Sequence, residues 1–249
     1  LTARLAAGEV VLLPTETVYG LAARADAPAA LERLRELKGR PAEVALSWHL
    51  AASEAPDVLD GLAAHGMALA PVARRLAERY WPGPVTLVGA VDLPADHPAA
   101  ALVRDGLLGL RAPAHPFTEA VLAACPFPLV MSSANLHGQA PATDAAAGLA
   151  ALGERAALLG AAVDAGPTAS AAAELSSTVL ELAPGRFEVH REGLLSVDDL
   201  LRAAGLSVGF ACTGNTCRSP MAEGLARRAL AAALAGGNPP AEEAAREEL

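Results

Sequence analysis

Glu9-Val10-Val11-Leu12-Leu13-Pro14-Thr15-Glu16-Thr17-Val18-Tyr19-Gly20-Leu21 sets a short apolar run directly against two hydroxyls, a carboxylate and a phenol. Residues 9–13 read as a buried strand, and Pro14 closes it into a loop. A buried strand ending in a polar loop is how an α/β sheet commonly presents functional groups. The chain keeps this rhythm. Asp26-Ala27-Pro28 opens a helix with Leu31, Leu34 and Leu37 on one face, and Gly39 and Pro41 stop it just after Lys38. Further strands are expected over 45–50, 85–91, 107–110, 128–131, 178–182 and 187–190, the last two joined by a turn at Pro184-Gly185. Helices are expected over 71–80, 116–124, 143–152 and 196–204. This mixture predicts an α/β fold. Gly205 marks a seam, giving a first domain over 1–205 and a second segment over 206–249. That segment reads as a strand (207–211), a polar loop and a helix from Ser219 to about Leu234.

Composition narrows the class. Of 249 residues, 53% are hydrophobic and 19% charged, so a sizeable core is expected and bulk disorder is excluded. Aromatics make up only 3%, so that core must be aliphatic. No apolar stretch reaches the length of a membrane span, and no leader is read at the start. Three cysteines do not make a disulfide framework, which points to a reducing cytoplasm. The net charge of −9 disfavours broad electrostatic binding to nucleic acid but leaves room for a local basic cleft. Eighteen of the nineteen basic residues are arginine, and Lys38 is the one lysine. Where drift toward arginine is this strong, a surviving lysine suggests a site that needs a compact point charge rather than a planar fork.

Polar groups recur at strand and helix ends. Lys38-Gly39-Arg40 puts two cations beside a helix end, and Ser132-Ser133-Ala134-Asn135 follows an apolar strand. Ser176-Ser177-Thr178 precedes another strand, and Arg191 follows the last one of the first domain. Each alone is most often a turn or cap. Together they offer cations with hydroxyl and amide donors, which suits a nucleoside triphosphate and a small polar co-substrate.

These residues lie in strings that resemble the Sua5/YrdC/YciO family over roughly residues 1–205. The strings are PTETVYGL (14–21), KGR (38–40), SWHL (47–50), PGPVT (82–86), LRAPAHP (110–116), SSANLHGQAPAT (132–143), SSTV (176–179) and HREG (190–193). The resemblance implies a twisted, open, mixed sheet with helices. It also implies synthesis of threonylcarbamoyl-AMP and pyrophosphate from L-threonine, bicarbonate and ATP, feeding the t6A modification of tRNA. By resemblance, Lys38 and Arg40 are catalytic and meet the phosphates, Ser133 and Asn135 donate to the nucleotide, and Arg191 closes the ATP side. Thr17, His49, Arg111 and Ser177 surround threonine. Mg²⁺ is implied by the triphosphate, since no cluster of metal ligands is legible. Other t6A-pathway proteins are implied as partners, with tRNA contact weak or indirect. One departure stands out: where the family usually has a lysine and then a proline before the leucine of the Ser-x-His strand, this chain reads Val44-Ala45-Leu46.

The second segment carries Cys212-Thr213-Gly214-Asn215-Thr216-Cys217-Arg218-Ser219-Pro220 between the expected strand and helix. Such a loop turns backbone N–H groups inward at a helix N-terminus, where an anion is favoured. Arg218 and Ser219 add a guanidinium and a hydroxyl, and together these favour the thiolate of a nucleophilic cysteine. The string CTGNTCRSPMAEGLAR resembles the opening of low-molecular-weight protein tyrosine phosphatases. That implies Cys212 as nucleophile, Arg218 as its phosphate-gripping partner and Cys217 as a possible redox partner. The general acid of that family, an aspartate in an Asp-Pro pair, has no counterpart after Cys212, so the segment is expected to be incomplete and phosphatase turnover doubtful. Two alternatives to the synthase follow: a non-catalytic nucleotide- or RNA-binding module, and a fusion whose complete form is a phosphatase. The first is disfavoured by 15 Lys+Arg against 23 Asp+Glu over residues 1–205.

Overall fold

Val10–Leu13 (β1) is apolar at four successive positions because both faces of the strand are covered. Val10 and Leu12 enter one core cluster and Val11 and Leu13 the other. The computed structural model describes residues 1–39, 45–67, 71–136, 139–169, 176–183, 186–204 and 218–234. The chain separates into two units, Leu1–Ala204 and Gly205–Leu249.

In the first unit the remaining strands are β2 (Gly20–Arg24), β3 (Ser47–His49), β4 (Val85–Ala90), β5 (Leu107–Arg111), β6 (Leu129–Ser133), β7 (Leu159–Ala162), β8 (Thr178–Ala183) and β9 (Arg186–Arg191). They form one sheet in the order β7-β1-β2-β6-β3-β5-β4-β8-β9. Three pairings are parallel, β1 with β7, β3 with β5 and β4 with β8; the others are antiparallel. The fold is therefore α/β with an open mixed sheet. On one face lie α2 (Pro28–Lys38), α3 (Ala55–Ala64) and α4 (Pro71–Tyr80), contributing Leu34, Leu59 and Leu76 to the larger cluster. On the other lie α1 (Thr2–Ala6) and α5 (Pro116–Ala123), contributing Leu5 and Val121. The unit also contains α6 (Ala145–Leu152) and α7 (Val197–Ala204). Ser196 caps α7 by accepting from the Asp199 amide at 3.2 Å, while its hydroxyl donates to the Asp199 carboxylate. Of the second unit, α8 (Arg218–Leu234) is described.

Four elements differ from the sequence reading. Gly20 and Leu21, expected in a loop, begin β2. Its run Gly-Leu-Ala-Ala-Arg has no β-branched residue and takes its strand form from pairing with β1 and β6. The short α1, α3 and β7 were not expected, and their alanine- and glycine-rich sequences carry little periodicity. The strand expected at 207–211 and the turn at Pro184-Gly185 lie outside the described residues.

Candidate functional site

A cavity of about 580 Å³ lies over the central strands. Gly109 on β5 keeps its floor low, since a Cβ there would meet the Ser47 hydroxyl at 2.9 Å. Lys38 reaches the cavity because α2 ends there, with Gly39 in the left-handed conformation (φ 55°) that stops a helix at low cost. Lys38 is 3% exposed, and its ammonium donates to the Ser133 carbonyl, to the Ser133 hydroxyl at 3.3 Å and to Asn135 Oδ1 at 3.5 Å. Asn135 is held by donating to the carbonyls of Leu136 and Gln139.

A second group gathers at the opposite ends of β3 and β5. Arg111 Nη2 donates to Glu16 Oε1 at 2.7 Å and to Thr17 Oγ1 at 2.9 Å, and Nε donates to the Gly83 carbonyl at 3.4 Å. Glu16 spends its other oxygen on the Ala114 amide. Thr15 organises the loop, accepting from the Thr17 and Val18 amides and donating to the Val18 carbonyl. Thr17 is fully buried behind Arg111, outside the cavity lining. Beside Arg111, burial and then the guanidinium charge push His49 down to about 3. Its imidazole is therefore neutral at pH 7. Because Nδ1 faces the Ser47 carbonyl at 3.1 Å, Nδ1 carries the hydrogen and Nε2 is the acceptor.

The third group closes the β8–β9 side. Arg191 donates through Nε and Nη2 to the Ser177 carbonyl at 3.0 and 2.9 Å, and Nη2 also donates to the Ser177 hydroxyl. Burial, and secondarily Arg111, lowers the Arg191 pKa. Ser177 also shares a hydrogen bond with Thr86 at 3.0 Å. His190, on the cavity rim, meets the buried Glu181 carboxylate at 2.7 Å. Glu181, Glu188 and His190 are the one metal-ligand group found among the described residues.

Lys38, Ser133, Asn135, His49, Arg111, Ser177 and Arg191 thus line one cavity. Arg40, Thr213, Gly214, Asn215, Thr216 and the two cysteines Cys212 and Cys217 lie outside the described residues. Arg218 and Ser219 open α8, where the Ser219 hydroxyl is buried without a hydrogen bond among the described residues. Sequence reasoning gave no role to Glu16, Ser47, Thr86, Arg104 or His190. All but Arg104 lie in strings already singled out, and Arg104 has no motif to mark it.

An α/β domain whose cavity gathers lysine, arginines, hydroxyls and a neutral histidine is built for a small anionic ligand. The family profile described as telomere recombination, Sua5/YciO/YrdC, matches residues 3–193, and the chain belongs to that family. The low molecular weight phosphotyrosine protein phosphatase profile matches residues 207–237. A threonylcarbamoyl-AMP synthase of Pyrococcus abyssi is 37% identical over 140 residues, covering 55% of this chain and 38% of that protein. A putative threonylcarbamoyl-AMP synthase of Mycobacterium leprae is 34% identical over 212 residues, covering 82% of this chain and 86% of that protein. The crystal structure of P. abyssi Sua5 complexed with L-threonine superposes with a TM-score of 0.67 at 29% identity, covering 82% of this chain and 56% of that one. The chain therefore spans less than two fifths of the length of the Pyrococcus relative.

Proposed function

We propose that this chain makes threonylcarbamoyl-AMP from L-threonine, bicarbonate and ATP. The threonine amine and bicarbonate combine to a carbamate with loss of water. A carbamate oxygen then attacks the α-phosphorus, and the bond to the β-phosphate oxygen breaks to release pyrophosphate. The carbamate and ATP are both anionic, so the protein's work is neutralising charge and aligning groups. The observation that carries this reading is one cavity holding an ammonium bound to Ser133 and Asn135 at one end and a guanidinium clamped by Glu16 at the other. The ammonium end, with Arg40, takes the phosphates.

The guanidinium end takes threonine. Arg111 lines the cavity and uses Nε and Nη2 on the protein, so Nη1 is left for a carboxylate oxygen. Neutral His49 offers Nε2 as an acceptor to the amino acid, and Thr17 acts by positioning Arg111. Ser177 and Arg191, bonded to one another, close the cavity on the β8–β9 side, Ser177 toward threonine and Arg191 toward ATP. Mg²⁺ fits as an ion carried in on the triphosphate, because Asp105 is the one carboxylate in the described cavity lining and a protein cage needs more. An activity feeding t6A formation is expected to act in the cytoplasm beside other enzymes of that modification. Among the described residues no helix is long and apolar enough to cross a membrane.

The test is pyrophosphate release measured with each substrate omitted in turn. Release that requires both threonine and bicarbonate is expected; release indifferent to threonine would overturn the reading. RNA binding as the main activity predicts a steep loss of affinity with salt in filter binding.

A further inference from the structure

Among the described residues four lysine or arginine side chains line the cavity, and three of them are clamped. Lys38 is held by Ser133 and Asn135, Arg111 by Glu16 and Thr17, and Arg191 by Ser177. Arg104 is different. It is half-buried, its Nη1 donates to the carbonyl of its neighbour Val103 at 3.0 Å, and it makes no ion pair with a described carboxylate. Asp105, the next residue, also lines the cavity and makes no ion pair with it.

The backbone fixes where this guanidinium starts. Arg104 and Leu107 exchange amide–carbonyl hydrogen bonds of 2.9 and 2.8 Å around Asp105-Gly106. Both turn residues are left-handed, at φ 51° and 75°, as a tight two-residue hairpin of this kind requires. The sheet register says which end of the cavity this is. Ser47 pairs with Met131 on one side and Gly109 on the other. Ala45, Ser133 and Leu107 each lie two residues from this row toward the same end of the sheet, and all three line the cavity. Arg104, bridged to Leu107, and the Lys38–Ser133 group therefore share one end of strands β6, β3 and β5. Arg111 occupies the other end, opposite His49.

We infer that Arg104 is a second phosphate-binding cation, gripping the polyphosphate end of a nucleoside triphosphate across the cavity from Lys38. The inference rests on the nucleotide reading above and adds a residue to it: the triphosphate lies between Lys38 and Arg104. A guanidinium without a carboxylate partner presents its fork to two phosphate oxygens without first breaking an ion pair.

Calorimetric titration of ATP, inorganic tripolyphosphate and AMP into wild type, Arg104→Gln and the exposed control Arg202→Gln tests it. Arg104→Gln is expected to bind ATP and tripolyphosphate about 10- to 100-fold more weakly, the range for a lost charge-assisted contact, with AMP changed less than about twofold and the thermal midpoint unmoved. Arg202→Gln should match wild type. Equal affinity of Arg104→Gln and wild type for both polyphosphates would overturn the inference. So would an equal loss for AMP, which would place Arg104 away from the terminal phosphates. Arg104-dependent binding of tripolyphosphate without binding of ATP would keep the phosphate site and sink the nucleotide reading. Binding of neither by wild type would sink both.

Discussion

Replacing Lys38 with methionine should separate stability from activity. Lys38 is 3% exposed, and its ammonium meets the Ser133 carbonyl, the Ser133 hydroxyl and Asn135 Oδ1. Methionine keeps much of the chain length and loses the charge. Folding gives up hydrogen bonds from a charged donor, each worth about 1.5–3 kcal/mol. It also avoids desolvating an ammonium, a penalty of several kcal/mol. These oppose one another, so unfolding free energy should change by less than about 2 kcal/mol. Catalysis has no such compensation, because a lost contact to developing phosphate charge costs on the order of 10²–10³ in rate. Lys38→Arg should fare little better. The planar fork is larger than the pocket built for an ammonium, overpacking costs about 1–3 kcal/mol, and the point charge is not restored. The assay is threonine-dependent pyrophosphate release beside urea unfolding of the same preparations. Either variant retaining activity within about threefold of wild type would refute the reasoning.

Other outcomes follow from the same geometry. Glu16→Ala strands the Arg111 guanidinium, whose side chain is 6% exposed, without its carboxylate; removing one partner of a buried pair costs about 3–5 kcal/mol. The Michaelis constant for threonine should rise more than that for ATP, and Glu16→Gln should recover part of both losses. The folded state keeps His49 neutral down to about pH 3, whereas the unfolded chain takes up a proton near pH 6.5. The unfolded state binds more protons between these values, so stability falls as pH drops through that window, by about 2 kcal/mol at pH 5. Urea titrations at pH 7.5 and 5.0 should show His49→Asn losing less than wild type over that interval. In the second unit, phosphate should slow alkylation of Cys212, since Arg218 and the α8 N-terminus favour an anion. Alkylation of Cys212 at the same rate with and without phosphate would contradict this.

The parts of this molecule legible in its sequence are those where local chemistry and tertiary context agree. Leu31, Leu34 and Leu37 announce α2 because a helix packed on a sheet needs that spacing, and Pro28 and Gly39 bound it. Lys38, Ser133, Asn135, His49, Arg111, Ser177 and Arg191 were legible because they fall in strings that resemble one family, although each polar group alone reads as a turn or cap. The strand character of Gly20–Arg24 was hidden, since its small residues owe their conformation to neighbours on both sides. Glu16 was visible as a carboxylate, but its role belongs to Arg111, 95 residues away in the chain. Arg104 had no signal at all: its place beside the cavity comes from sheet register, which no local pattern encodes.

The account's central claim is that threonine, bicarbonate and ATP are joined in one molecule in this cavity. Mass spectrometry of a reaction containing ¹³C-bicarbonate and ¹⁵N-threonine tests it directly. The account predicts a threonine-bearing adenylate carrying both labels, formed together with pyrophosphate and lost in Lys38→Met. AMP and pyrophosphate without a doubly labelled adenylate, or a labelled adenylate undiminished in Lys38→Met, would contradict it.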